Sequence, residues 1–298
     1  MINSKTDIIA IIGPTASGKT RLAIEVAKRH NGEIICADSR TIYRGMDIGT
    51  AKPSMDERGG ITHHLLGYIE PNQSFSAQEF KVAAEGIIDE IVGRGKTPII
   101  VGGTGLYVYA LLYDYSFPAG ERTVDRAVME ERSLDDLVAE LQQKDPELAS
   151  EIDLKNKRRV IRGIETAGLP RHKSEQLEPN ILLMGLQPEM SVLDTNITQR
   201  TKRMLQIGLV EEVRNMVEIY GPFTESLRSP GYAEIIDYLA DRISLDEAAD
   251  LISLHTRQLV KRQLTWFKRN PEIQWVEDGE TAQELVSNWL GRDGAGII

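Results

Sequence analysis

The residues best equipped for chemistry stand near the start of this 298-residue chain. Gly13-Pro14-Thr15-Ala16-Ser17-Gly18-Lys19-Thr20 fits G-x-x-x-x-G-K-[ST], the pattern of a phosphate-gripping P-loop. Its glycines let the backbone curl so that successive N–H groups converge on phosphate oxygens, and the following helix adds its positive end. Lys19 brings a full charge to the terminal phosphate, and the Thr20 hydroxyl can ligate Mg²⁺. Every residue from Gly13 to Thr20 is therefore a candidate phosphate ligand. The loop fixes the phosphate and leaves the reaction open.

Two more groups stand where strands end. The apolar run Glu33–Ala37 stops at Asp38, and Pro98–Val101 stops at Gly102-Gly103-Thr104. Many P-loop ATPases carry an Asp at the second of these places; this chain carries it at the first. Strand carboxyl ends line the ligand crevice of an open α/β sheet, so Asp38 and Thr104 are expected to face the loop. Each also has a plainer use, Asp38 in a turn ahead of Ser39 and Thr104 as a helix cap.

The elements that must position these groups alternate. Asp7–Ile12, Glu33–Ala37, Pro98–Val101 and Ile181–Leu186 read as buried strands, and Lys19–His30, Ser76–Gly93 and Thr104–Leu112 as helices. This order implies an α/β fold with a parallel sheet flanked by helices. Residues 119–179 contain no convincing strand, and Leu134, Leu137, Val138 and Leu141 form a helical stripe. They are expected to be a helical insertion into a core made of residues 1–118 and 180–298. The rest of the core is mostly helical, with a short strand candidate at Ile273–Val276.

Net charge is −10, with 41% hydrophobic and 27% charged residues. The balance suits a globular enzyme and argues at first against a nucleic-acid partner. Two stretches oppose the average. Leu154–Gly163 and Leu251–Pro271 contain no acid, while they hold Lys155, Lys157, Arg158, Arg159 and Arg162 in the first and Arg257, Lys261, Arg262, Lys268 and Arg269 in the second. Such runs are often solvated helix faces. The lone cysteine, Cys36, reads as a buried strand residue and suits a reducing cytosol, so a cytoplasmic protein is expected. No segment approaches a membrane span.

With these features in place, the chain closely resembles the tRNA dimethylallyltransferases, also called tRNA isopentenyltransferases. Gly13–Thr20, Ala37–Pro53, His63-His64-Leu65, Gly102–Tyr107, Arg158–Arg162, Gly231-Tyr232 and Thr256–Phe267 carry the likeness, which runs from residue 8 to about residue 269. The resemblance implies a P-loop NTPase-like fold and a prenyl transfer. The dimethylallyl group of dimethylallyl diphosphate would move to N6 of the adenosine immediately 3′ of the anticodon in tRNA, releasing pyrophosphate. Asp38 would then be the general base, Thr104 would orient the diphosphate, and Lys19 and Mg²⁺ would neutralise the leaving group. Ser39, Arg40 and Thr41, together with Asp38 and Thr104, continue the stretch that meets the target nucleotide. Arg126, Arg159 and Arg162 in the insertion are implied tRNA contacts, with Arg122 the competitor for the place given to Arg126. Lys261 and Arg262 flank the face Val260, Leu264 and Phe267 of a helix, as backbone-contacting cations should. Trp266 reads as packing. His63 and His64 diverge on any regular element and are expected to be structural or substrate-shaping.

The chain departs from the family pattern at Gly59-Gly60-Ile61-Thr62, at Thr41, and in a short segment between Pro118 and Leu134. These bear on tRNA contact and leave the chemistry intact. The expected partners are the anticodon stem-loop and the prenyl diphosphate, and the expected state is a monomer. A P-loop small-molecule kinase would account for the loop but not for Gly102–Tyr107. An adenylate isopentenyltransferase acting on free AMP would not need the basic stretches. A non-catalytic RNA-binding protein would not need Lys19, Thr20, Asp38 and Thr104 together.

Overall fold

The computed structural model describes residues 6–117, 126–170, 172–174, 176–178 and 180–291. The chain forms two compact units, one made of Asp114–Ser174 and the other of the chain on either side. The larger unit begins β1 (Ile8–Ile12), α1 (Lys19–Arg29), β2 (Gly32–Cys36), α2 (Met55–Arg58), β3 (His63–His64), α3 (Ala77–Gly93), β4 (Thr97–Gly102) and α4 (Gly105–Leu112). The smaller adds α5 (Arg126–Glu131), α6 (Leu134–Lys144), α7 (Pro146–Glu151) and α8 (Lys157–Glu165). The larger resumes with β5 (Ile181–Leu186), α9 (Met190–Gln206), α10 (Leu209–Tyr220), a 3₁₀ turn at Glu225–Arg228, α11 (Tyr232–Leu239), α12 (Leu245–Phe267), β6 (Gln274–Val276) and α13 (Gly279–Leu290).

All six strands are parallel, in the order β3-β2-β4-β1-β5-β6. The central strand β1 is wholly buried, as its unbroken Ile/Ala run requires of a sheet covered on both faces. Ile9 and Ile11 pack with Leu22, Val26 and Ala27 of α1 and with Val286 and Trp289 of α13. The fold is the expected P-loop NTPase-like α/β sheet. Strand β3 was not foreseen, since two residues are too few to show a period. It pairs Ile34 with His63 and Ile35 with His64, which makes the two histidines an edge strand.

A second core holds the segment after Asp38 in place. Ile42 and Met46 are buried with Leu209, Val213, Tyr232, Ile235 and Ile252 from α10, α11 and α12. Glu212 on α10 accepts hydrogen bonds from the backbone N–H groups of Asp47 (2.9 Å), Ile48 (2.7 Å) and Gly49 (2.9 Å) and from the Tyr232 hydroxyl (2.6 Å). Gly49 has to be glycine here, because a Cβ would lie 2.4 Å from the Tyr232 ring.

The smaller unit has its own core of Met129, Leu137, Leu141, Leu148, Val160, Ile161 and Ile164. Its limits lie a few residues before the 119–179 read from the sequence. At one end, Ser116 and His172 exchange hydrogen bonds of 2.7 and 2.6 Å inside this unit. At the other, the Leu177 N–H donates to Glu272 of the larger unit's own chain at 2.9 Å, so the residues just before β5 belong to the core.

Candidate active site

The P-loop joins β1 to α1. Gly13 passes so close to β5 that a Cβ would lie 2.6 Å from the Leu186 carbonyl oxygen. Gly18 ends the loop with a left-handed φ of 87°, and α1 starts at Lys19. The Lys19 ammonium donates to the Pro14 carbonyl at 3.1 Å. Burial pulls it down to about 8, while Asp38 opposes the shift and Arg200 adds to it. The buried Ser17 hydroxyl has no hydrogen-bond partner among the described residues, which leaves it available to a phosphate oxygen. Lys19, Thr20, Thr41, Asp38 and Arg200 line a narrow recess of about 70 Å³ behind the loop.

Asp38 follows the end of β2. Its Oδ1 accepts from the N–H groups of Arg40 (2.8 Å) and Thr41 (3.3 Å), so the plainer turn role is present. Its Oδ2 has no hydrogen-bond partner among the described residues, and the side chain lines a cavity of about 400 Å³ with Ser39, Arg40, Thr104 and Arg200. Thr104 stands at the start of α4, yet its hydroxyl does not cap that helix. It accepts from the Ser39 N–H at 2.9 Å and meets the Ser39 hydroxyl at 3.2 Å. Asp38 and Thr104 are thereby held on two adjoining loops of one cavity. The Arg40 guanidinium reaches the Ser226 carbonyl at 3.5 Å.

The run Gly102-Gly103-Thr104-Gly105 is shaped by close neighbours. A Cβ at Gly102 would lie 1.9 Å from the Ala37 carbonyl, at Gly103 2.4 Å from Gln263 and at Gly105 2.2 Å from Trp266. Trp266 is thus a packing residue, as read from the sequence. Val260, Leu264 and Phe267 are buried on the core face of α12. Arg262 is exposed and lines the cavity. Lys261 is exposed beside it and lies outside the cavity lining.

Two functional candidates escaped the sequence reading. Arg200 on α9 donates to the Thr15 hydroxyl at 2.9 Å and to the Thr50 carbonyl at 3.2 Å. Burial lowers its guanidinium below the usual value and Asp38 opposes the shift. It sits in none of the stretches that carried the resemblance, and one arginine among the polar residues of an amphipathic helix has no local signature. Gln263 was inside a matched stretch but showed no role until its two loop contacts were seen.

Three expected tRNA contacts belong to the smaller unit. Arg159 and Arg162 are exposed on α8, the latter 3.2 Å from Glu165, and Arg126 opens α5 at 3.8 Å from Glu130. None of them is part of the cavity. Arg122 lies outside the described residues. His64 donates to or accepts from Glu33 at 2.7 Å, and His63 contacts the Ile61 carbonyl at 2.9 Å. No cluster of three or more His, Cys, Asp or Glu able to hold a metal occurs among the described residues. Burial pushes the Cys36 thiol up to about 12, which makes it an inert strand residue.

Residues 41–270 match the family model described as IPP transferase, and residues 6–71 match the one described as isopentenyl transferase. A tRNA dimethylallyltransferase of Oceanobacillus iheyensis is 38% identical over 99% of this chain and 98% of its own. One from an Exiguobacterium strain is 43% identical over 94% and 93%. Among solved structures, the tRNA isopentenylpyrophosphate transferase of Bacillus halodurans superposes with a TM-score of 0.75 at 35% identity, covering 97% of this chain and 98% of that one. A eukaryotic dimethylallyltransferase captured acting on tRNA gives 0.83 at 25% identity, over 96% and 78%.

Proposed function

This chain belongs to the IPP transferase family of tRNA dimethylallyltransferases, and we infer that it transfers the dimethylallyl group of dimethylallyl diphosphate to N6 of the adenosine immediately 3′ of the anticodon. One observation carries the reading at atomic level. A single cavity is lined by P-loop residue Thr15 and its clamp Arg200, and equally by Asp38 with its unengaged Oδ2 and by Thr104.

The chemistry follows from that arrangement. The diphosphate lies in the P-loop under the N–H groups of Ala16 to Thr20, with Lys19 and Arg200 answering its charge. An adenine amino group is a weak nucleophile because its lone pair is delocalised into the ring. As N6 bonds to the allylic carbon, its proton passes to Asp38, help worth about 10²–10⁴-fold. The carbon–oxygen bond breaks and its electron pair leaves with the diphosphate, where the fixed cations and N–H groups stabilise it. Thr104, tied to Ser39, orients the diphosphate. Ser39, Arg40 and Thr41 meet the target nucleotide, which has to leave the base stack to reach N6.

A Mg²⁺ ion fits this donor set. Such ions take few protein ligands and complete their shell with substrate phosphates and water. The Thr20 hydroxyl, which lines the phosphate recess, could serve as such a ligand. When bound, the ion would neutralise charge on the departing diphosphate. Arg126, Arg159 and Arg162 of the smaller unit and Lys261 and Arg262 on α12 meet the stem-loop backbone. Among the described residues no helix is long and apolar enough to cross a membrane. With tRNA as its acceptor, the enzyme works in the cytoplasm, as a monomer.

A two-donor assay tests the reading. The protein is offered an anticodon stem-loop with dimethylallyl diphosphate, and separately ATP with the same RNA. Prenylated RNA and released pyrophosphate are expected from the first, and no phosphate transfer or hydrolysis from the second. ATP turnover with an inert prenyl diphosphate sinks it in favour of a kinase, and prenylation of free AMP but not of the stem-loop sinks it in favour of an adenylate transferase.

A further inference from the structure

We propose that Gln263 is a positioning residue for the transfer. Its carboxamide is the link that sets the diphosphate side of the cavity against the acceptor side. The inference rests on the transfer reading above and assigns a role to a side chain that contacts neither reacting atom.

Gln263 projects from α12 between two loops. Its Oε1 accepts from the Thr15 N–H at 2.9 Å, and its Nε2 donates to the Gly103 carbonyl at 3.0 Å. A backbone N–H can only donate and a carbonyl can only accept, so the two partners fix the orientation of the amide. One of these loops is the phosphate cradle. The other leads directly into Thr104, which holds Ser39 at 2.9 Å beside Asp38. The strands beneath keep register only as far as Ile12 opposite Gly102. Beyond that pair the strand ladder ends, and the carboxamide joins the two loops.

Three features show that the bridge is built in. Gly103 leaves room for the carboxamide, since a Cβ there would lie 2.4 Å from Gln263 Nε2. One helical turn on, Trp266 packs over Gly105, where a Cβ would lie 2.2 Å from its ring, so α12 cannot slide along the loop. The Thr15 hydroxyl is already engaged by Arg200 at 2.9 Å. With its N–H given to Gln263, Thr15 positions the cradle rather than binding phosphate with its backbone.

Transfer needs the allylic carbon, which rides on the diphosphate, to meet N6, which is placed from the Asp38 side. A displacement of about 1 Å between such partners can cost about 100-fold in rate with little effect on binding. The loss of the bridge is therefore expected in kcat. Glutamine meets the need because it offers one donor and one acceptor at the end of a short arm. Methionine has similar length and neither group, while an ionised glutamate keeps the acceptor and turns the Gly103 contact into repulsion.

The test compares the full-length wild-type protein with Gln263→Met and Gln263→Glu below their melting transitions. It measures kcat, both KM values and hydrogen exchange at the Thr15 amide. In both variants kcat should fall about 30- to 100-fold, with each KM within about threefold of wild type; exchange at Thr15 should be faster in Gln263→Met, which has lost the acceptor of the Thr15 N–H. Packing alone would be served by methionine and would leave kcat unmoved. A kcat within about threefold of wild type in Gln263→Met overturns the proposal, as does a loss confined to KM. If the wild-type protein itself fails to use the prenyl diphosphate, the transfer reading has failed instead. The bridge is then judged on exchange alone, and an unchanged Thr15 amide in Gln263→Met rejects it.

Discussion

Glu33 stands near the start of strand β2 and Asp38 just past its end, and the two live in opposite surroundings. Glu33, near its start, is 3% exposed. It accepts from Arg94 at 2.8 Å and Lys96 at 2.9 Å and contacts His64 at 2.7 Å. Burial alone would raise its carboxyl, but hydrogen bonds from Arg94, Lys96 and His64 hold it down at about 2. Asp38, just past the other end, is half-buried, gives one oxygen to two backbone N–H groups and leaves the other open to the cavity. Lys19 and Arg200 act on it only through space. A buried charge whose valences are filled by the protein fastens the fold, as Glu33 fastens β3 and the start of β4 to β2. One left with an open valence in a cavity is held for a ligand.

The largest effect should come from the open carboxylate. Asp38→Asn keeps an oxygen for the Arg40 and Thr41 N–H groups but cannot take the N6 proton. Its kcat should fall about 10²–10⁴-fold, with an unchanged melting temperature and measurable RNA binding. Retention of a tenth or more of wild-type kcat would break the contrast at its functional end.

Glu33→Gln should do the reverse. The folded value of about 2 lies below the ordinary 4.5. The stabilisation is therefore complete above about pH 4.5 and lost as pH falls from there toward 2. Its size is on the order of 3 kcal/mol, at 1.36 kcal/mol per pKa unit. Urea unfolding at neutral pH should show a loss of that order for the variant, and a smaller acid-induced loss than in wild type. Activity per folded molecule should stay within about twofold. A stable but inactive Glu33→Gln protein would show that filled valences do not mark a purely structural charge.

Lys19 sharpens the comparison from the cation side. Its ammonium is brought down to about 8 from 10.5 by burial, so the free enzyme loses this charge as pH rises past 8. A diphosphate restores it by binding the protonated form. Hence kcat/KM for the prenyl diphosphate should be level just below about pH 8 and decline above it, by up to about tenfold per pH unit. Binding above pH 8 should take up a proton, visible calorimetrically as a dependence on buffer ionisation enthalpy. A kcat/KM that stays flat through pH 9.5 would contradict the assignment.

The two ends of β2 were not equally legible. Asp38 stood out because an apolar run that stops at a carboxylate is a local pattern, and the P-loop is local too, since its glycines answer to their own backbone. Glu33 gave no signal. Its partners Arg94 and Lys96 come from beyond the α3 crossover, and that β2 lies beside β4 is a property of the sheet order. Arg200 and Gln263 were hidden for the same reason, since each reaches the P-loop from a helix far along the chain. His63 and His64 were read as structural or substrate-shaping because adjacent residues diverge, but the edge strand that they form was not visible in two residues. The helical insertion was visible from its missing strands, whereas its limits depended on the pairing of Ser116 with His172.

The smallest effect extends the contrast to cations on one helix. Arg257 is engaged, with Nε 3.0 Å from Asp194 and Nη2 3.3 Å from the Thr198 hydroxyl. Lys261 and Arg262, about one turn further along α12, make no ion pair among the described residues. If open valences mark ligand contacts, these two meet RNA phosphate and Arg257 does not. Each phosphate contact to a single strand contributes about 0.7 to the slope of log K against log salt. Lys261→Ala with Arg262→Ala should therefore flatten the slope for the stem-loop by about 1.4, raise the KM for RNA and leave kcat at saturation within about twofold. Arg257→Ala should leave the slope unchanged and lower the melting temperature slightly, because the pair with Asp194 is exposed and worth at most about 1 kcal/mol. An unchanged slope in the double variant would remove this part of α12 from the RNA contact. A flattened slope in Arg257→Ala would mean that a surface charge already paired in the free protein can still exchange its partner for phosphate, so that the rule drawn from Glu33 and Asp38 holds only where burial keeps the pair closed.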